Sequence, residues 1–303
     1  MLTGTIRQGQ GGIYEVETPD GVVEASLRGR LKRDERSGGK VVVGDRVDLE
    51  SEASGEGIVW AIQRVHERTT LLERRSPGKA PRSKPIVANV DQVLIVFAAA
   101  NPDPHLRMLD RFLVIAGSSG IAPLIVINKV DVKGEAAARA FFAPYEKAGY
   151  RLLFTAAKAG IGVDELRESL CGRLSALTGP SGVGKSSLLN AIQPGLGLRV
   201  AAISEAVNKG KHTTVTAQLI PLDCGGWVAD TPGLRELGLW EIDRDQLQFY
   251  FPEIERLLGG CRYPTCSHIH EPDCAIRTAV AAGELDAGRY DSYRRMVLGE
   301  DDF

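Results

Sequence analysis

A phosphate-loop pattern stands well inside this chain, and the motifs that usually follow it come before it. Gly179-Pro180-Ser181-Gly182-Val183-Gly184-Lys185-Ser186 fits G-x-x-x-x-G-K-[ST] without a departure. Asn128-Lys129-Val130-Asp131 and Thr155-Ala156-Ala157-Lys158 lie upstream, and Asp230-Thr231-Pro232-Gly233 lies downstream. A fold that gathers these segments at one sheet edge must connect its strands in circularly permuted order. That constraint excludes most architectures for the middle of the chain.

Each motif sits where its chemistry needs it. Leu174-Ser175-Ala176-Leu177-Thr178 reads as a buried strand and Ser187-Leu188-Leu189-Asn190-Ala191-Ile192 as the first turns of a helix, the context a phosphate loop requires. Gly179, Gly182 and Gly184 let successive N–H groups turn inward as an anion nest at a helix start. Pro180, Ser181, Val183 and Ser187 complete the loop and its exit. Lys185 is expected to reach the β- and γ-phosphates, and Ser186 to ligate magnesium. Asp230, at the end of the apolar run Gly226-Trp227-Val228-Ala229, can hold magnesium through water, and Gly233 can offer its N–H to the γ-phosphate.

Base selection points to guanine. Asp131 can accept from N1–H and N2–H₂ of guanine, a pair adenine lacks. Asn128 is expected to brace base and loops, the Lys129 stem to cover the ring, and Ala156 N–H to address O6, with Thr155 beside it. ATP is the alternative if Asp131 lies elsewhere. Between Ala201 and Val215, the polar run Ser204 to Thr214 takes the place of a first switch loop. Thr214 is the expected magnesium ligand there, ordering with the γ-phosphate.

The flanks differ in character. Residues 1–72 alternate short β runs (Thr5-Ile6, Ile13–Glu17, Val22–Ala25, Val41–Val43, Arg46–Leu49, Ile58–Ile62) with Gly- and Pro-containing turns, predicting a small all-β barrel of the OB type. Residues 73–88, with Pro77, Pro81 and Pro85, read as a linker unable to hold a helix or a central strand. An α/β domain is expected over 89–240, with strands at 92–97, 123–127, 151–155, 174–178, 216–222 and 226–229 alternating with helices. Residues 241–303 read as a mostly helical region built on a metal. Cys261, Cys266, His268 and Cys274 form Cys-x₄-Cys-x-His-x₅-Cys, the donor set of a closed structural zinc site, with His270 as the alternative imidazole. Of the five cysteines, Cys171 and Cys224 fall outside the cluster and are read as buried small hydrophobes.

Hydrophobic residues at 43%, charged residues at 25% and a formal net charge of −2 fit a globular chain without a global nucleic-acid signature. The Arg and Lys residues clustered at 28–36 and 74–84 read as solvated loops that can also meet phosphates. The longest apolar run, Val93 to Ala100, is too short to span a bilayer, and the first residues lack a charged and an apolar signal region. A cytoplasmic monomer with no membrane association is the expectation.

Barrel, permuted α/β domain and cysteine spacing together resemble the bacterial ribosome small-subunit-dependent GTPase A family across nearly the whole chain. The resemblance also draws on Gly210-Lys211-His212-Thr213-Thr214. It implies an OB-fold that contacts ribosomal RNA, a GTPase stimulated by the small subunit, and action late in that subunit's maturation, with another assembly factor as a further partner. One position departs from the common GTPase pattern. The Gln that often follows Asp-x-x-Gly is Leu234, which cannot orient water. His212 is the internal candidate for that task, and a cation supplied in trans is the competing one. Gly182 stands where potassium-activated GTPases carry Asn, so potassium activation is not expected. Two further readings are a nucleotide-gated RNA-binding module with incidental hydrolysis and a GTPase serving a non-ribosomal client.

Overall fold

The computed structural model describes residues 2–29, 31, 40–54, 57–76, 82–196, 217–230 and 243–300. At the N-terminus, β1 (Leu2–Gln10), β2 (Ile13–Thr18), β3 (Gly21–Leu27), β4 (Arg46–Ser54) and β5 (Gly57–Val65) close into a barrel of order β1-β2-β3-β5-β4. Alternation makes the barrel. In β2, Tyr14 and Val16 turn inward, between outward residues, to meet Ile6, Leu27, Val47, Leu49 and Ile62. Register shifts at Ile6/Gln8 and Asp48/Leu49 supply the bends that closure demands.

Two expectations change here. Val41–Val43 is buried but is no barrel strand; Val43 makes one bridge, to Val87. The fully buried Asp45 carboxylate organises this turn, accepting Val42 N–H at 2.8 Å and the Arg68 fork at 2.7 and 2.9 Å. Nor is 73–88 a structureless linker. β6 (Leu71–Ser76) and β7 (Arg82–Ala88) pair as an antiparallel ribbon. Pro85 is tolerated because a two-stranded ribbon has free edges, and the register shifts beside it, between Leu72 and Glu73. Leu72 and Val87, both buried, root the ribbon in the core of the next domain.

That domain is a six-stranded sheet, order β10-β9-β8-β11-β13-β12, from β8 (Gln92–Ala98), β9 (Ala122–Asn128), β10 (Arg151–Phe154), β11 (Leu174–Thr178), β12 (Gln218–Pro221) and β13 (Trp227–Asp230). Every pairing is parallel except β12 with β13. All seven residues of β8 are buried, as a central strand covered on both faces must be. Helices α1 (Leu106–Ser118) and α3 (Glu135–Ala148) cover one face, and α4 (Val163–Leu170) and α5 (Lys185–Ile192) the other. The short α2 (Val130–Lys133) follows β9.

Cys171 and Cys224 are not separate hydrophobes. They form a disulfide, with Cα atoms 5.2 Å apart, and Cys224 is exposed. The sheet order explains the meeting. The end of α4 and the β12–β13 turn both lie at the strand-start edge, where Trp227 N–H donates to Arg173 O at 2.8 Å.

The C-terminal region comprises a 3₁₀ helix (Arg244–Tyr250), α6 (Pro252–Glu255), α7 (Ala275–Ala281) and α8 (Ala287–Leu298). It packs on α1 and α3. Arg289 of α8, 3% exposed, donates to Asp110 of α1 and to Glu253 at 2.7 Å, while its guanidinium lies over Phe251 and Tyr145 at 4.7 and 5.1 Å from the ring centroids. Tyr145 OH also donates to Asp110 at 2.7 Å. Burial disfavours the guanidinium charge, yet the two carboxylates hold Arg289 protonated well above its ordinary range. Replacing Arg289 with Met leaves the buried Asp110 carboxylate with its Tyr145 hydrogen bond but no counter-charge and is expected to cost about 3–5 kcal/mol. Urea unfolding of the C-terminal region checks this, and an unchanged midpoint contradicts it.

Candidate nucleotide and metal sites

Strand β11 delivers Gly179 to the sheet's carboxyl edge beside β8. Gly179 has φ 133°, and a Cβ there collides with Val96 O of β8. Gly184, with φ 96°, caps α5 and leaves no room for a Cβ against Asn128 Nδ2. Both glycines are therefore required by close approach as well as by φ. Val183 is buried and anchors the loop in the core, whereas Ser181 and Gly182 are exposed. Lys185, 6% exposed, donates through Nζ to Gly179 O at 2.8 Å and Pro180 O at 2.6 Å, which fixes its ammonium across the loop. Ser186 follows, buried at the first turn of α5.

Asn128, at the end of β9 and 2% exposed, ties three segments together. Its Nδ2 donates to Val183 O in the phosphate loop at 2.9 Å. Its Oδ1 accepts from Thr155 Oγ1 at 3.3 Å and Ala157 N–H at 3.2 Å. Lys129 adopts φ 62°, and its Nζ donates to Gly182 O at 2.7 Å and to Asn101 O in the loop after β8. The Asn101 contact leaves no trace in a motif search, because it uses a backbone carbonyl. Asp131 is exposed in the first turn of α2, its carboxylate without a partner among the described residues.

One expected donor is already engaged. Ala156 N–H donates to Ile161 O at 3.0 Å and so cannot also face guanine O6. Further along the same loop, the Lys158 N–H has no partner among the described residues. The backbone of Asp230 ends β13 beside Leu177 of β11, next to the phosphate loop. His212, Thr214 and Gly233 lie outside the described residues, as does Leu234.

The second cluster is held by the C-terminal region. One ligand atom each of Cys261, Cys266, His268 and Cys274 lies within 4.8 Å of the others. Cys261 and Cys274 Sγ are 3.9 Å apart, and His268 Nδ1 is 3.4 and 3.5 Å from them. A tetrahedral zinc ion with sulfur bonds near 2.3 Å sets its ligands about 3.8 Å apart, so the donor set fits. His268 is the histidine in the cluster, with φ 64° aiming it inward; His270 is exposed. Burial pushes the Cys266 thiol up to about 12 and the His268 imidazole down, so both groups are neutral at pH 7 until a cation compensates. Glu271 closes the loop. Against the effect of burial, bonds from Ser267 Oγ and the N–H groups of Ser267 and His270 hold its carboxyl well below the usual range.

The family model for the RsgA GTPase matches residues 65–240, and that for the RsgA N-terminal domain matches residues 3–59. The small ribosomal subunit biogenesis GTPase RsgA of Gemmatimonas aurantiaca is 52% identical over 295 residues, 97% of this chain and 96% of that protein. The protein of the same name from Moorella thermoacetica is 46% identical over 96% of this chain and 95% of its own. Among solved structures, YjeQ from Thermotoga maritima superposes with a TM-score of 0.79 at 35% identity, covering 98% of each chain. YloQ, described as a circularly permuted GTPase, gives 0.77 at 30% identity, covering 99% of this chain and 95% of that one.

Replacing Asn128 with Ala removes bonds to two loops at about 1 kcal/mol each or more. GTP affinity is then expected to fall roughly 30- to 100-fold in a fluorescent-nucleotide titration, with the fold intact by circular dichroism. Unchanged affinity contradicts the bridging role.

Proposed function

The chain belongs to the RsgA GTPase family, and from that premise we propose that it hydrolyses GTP as a factor in biogenesis of the small ribosomal subunit, acting late and stimulated by the subunit. The observation that carries the reading is the convergence of the phosphate loop, Asn128–Asp131 and Thr155–Lys158 through the Asn128 side chain. The relatives named above are small ribosomal subunit biogenesis GTPases, which supports the ribosomal partner over another client.

The residues divide the work as follows. Loop N–H groups from Gly179 to Ser186 receive the phosphates, and Lys185, already fixed by two loop carbonyls, neutralises charge that develops during γ-phosphoryl transfer. Ser186, Thr214 and Asp230 hold magnesium, which when bound offsets phosphate charge. Asp131 reads the guanine N1 and N2 groups, and Lys158 N–H replaces Ala156 as donor to O6. His212 places the attacking water that Leu234 cannot, with a cation from the partner as the competing source. Gly233 contacts the γ-phosphate. Cys261, Cys266, His268 and Cys274 hold one structural zinc ion that staples the C-terminal region. The barrel of 1–72, the α/β domain of 89–240 and the zinc region of 241–303 act as a monomer, with barrel and zinc region meeting ribosomal RNA in the cytoplasm and another assembly factor as a further partner. Among the described residues no helix is long and apolar enough to cross a membrane. Leu234 is what favours the second reading, a nucleotide-gated RNA-binding module.

GTP hydrolysis measured alone, with small subunits and with large subunits decides between them. Strong stimulation by the small subunit alone is expected, with Lys185→Ala lowering stimulated turnover about 100- to 1,000-fold. Tight GTP binding without stimulation favours the binding module.

A further inference from the structure

The zinc cluster depends on a residue outside its motif. His268 faces the sulfurs of Cys261 and Cys274 through Nδ1. An imidazole that ligates through Nδ1 is neutral and carries its single proton on Nε2, which then needs an acceptor. Nε2 lies 3.0 Å from Oε1 of Gln248, on the 3₁₀ helix. A glutamine amide can present either end, and here the other end decides. Gln248 Nε2 lies 3.2 Å from Asp245 O, a carbonyl that only accepts. Turning the amide over sets oxygen against oxygen at Asp245 and N–H against N–H at His268. Both bonds therefore specify the same orientation.

The helix carrying Gln248 is itself fixed. Leu247 is buried in the core of the C-terminal region, and Asp243 caps the helix by accepting from Asp245 N–H. Across the ring, Tyr290 OH donates to His268 O at 2.7 Å. His268 is thus clamped at its carbonyl and at Nε2, which holds Nδ1 toward the sulfurs in a left-handed backbone conformation that favours glycine.

We infer that Gln248 is a positioning residue of the zinc centre: it accepts the Nε2 proton of His268, selects the tautomer that ligates through Nδ1, and thereby sets zinc affinity. The inference rests on the zinc assignment proposed above. It also joins the metal centre to the turn that follows residues 231–242, so the run leaving Asp230 re-enters the described fold at the zinc shell.

The test uses the full chain loaded with zinc and titrated against a chromogenic chelator. Gln248→Leu is expected to weaken zinc binding about 10- to 100-fold, and Gln248→Glu, which keeps an acceptor, to restore most of it. Exchange of the His268 Nε2 proton, followed by ¹⁵N NMR on zinc-loaded protein, is expected to be slow in the wild type and in Gln248→Glu, and fast in Gln248→Leu. A merely structural Gln248 leaves that exchange unaltered. If Gln248→Leu fails to fold, a wild-type His268 bound through Nε2, or a freely exchanging proton, overturns the inference. A wild type that binds zinc as Gln248→Leu does also overturns it while sparing the zinc assignment. A wild type that binds no zinc removes both.

Discussion

The side chain of Asn128 is the constraint on which the nucleotide site depends. It is almost wholly buried at the end of β9, and its amide joins Val183 O of the phosphate loop to Thr155 and Ala157 of the base-recognition loop. Lys129 adds a parallel tie from Gly182 to the loop after β8. Together they build the phosphate and base halves into one rigid edge, which is what a preorganised phosphoryl-transfer site requires. Permutation leaves this geometry untouched, because these contacts depend on the order of strands in the sheet and not along the chain.

Permutation instead governs what is attached. The chain enters the α/β domain through the ribbon, whose Leu72 and Val87 are part of that domain's own core. Arg7 of β1 lies over the Trp227 ring at 5.5 Å, giving the barrel a second anchor. At the other end, Arg289 joins the C-terminal region to α1 through the buried Asp110 carboxylate, with the partly buried Glu253 of its own region as second partner. Described contacts of the C-terminal region with the α/β domain run through α1, α3 and Tyr150.

Much of this was legible from residues alone, and the exceptions share a cause. Motifs such as Gly179–Ser186 act through local spacing, and β8 announces itself as an unbroken apolar run, so both could be read directly. The Cys/His cluster was legible for the same reason, with His268 chosen over His270 from spacing alone, and the structure adds that His268 faces the cysteines while His270 is exposed. The pairings that escaped are distant ones. Cys171 and Cys224 are 53 residues apart, and Arg289 and Asp110 are 179 apart; only the sheet order and the docking of α8 bring them together. The ribbon at 71–88 was hidden by prolines that a central strand excludes but an edge tolerates. Nor can a sequence show that the Ala156 N–H is engaged by Ile161 O.

We propose that this edge reads guanine through Asp131. Replacing Asp131 with Asn converts an acceptor into a group that also donates, and xanthine, with a carbonyl in place of the guanine 2-amine, is its complement. The decisive measurement is the affinity of wild type and Asp131→Asn for GTP and xanthosine triphosphate. The expected result is a loss of GTP binding of about 100-fold or more, with xanthosine triphosphate becoming the tighter ligand. A variant that still prefers GTP places base recognition elsewhere and contradicts the account.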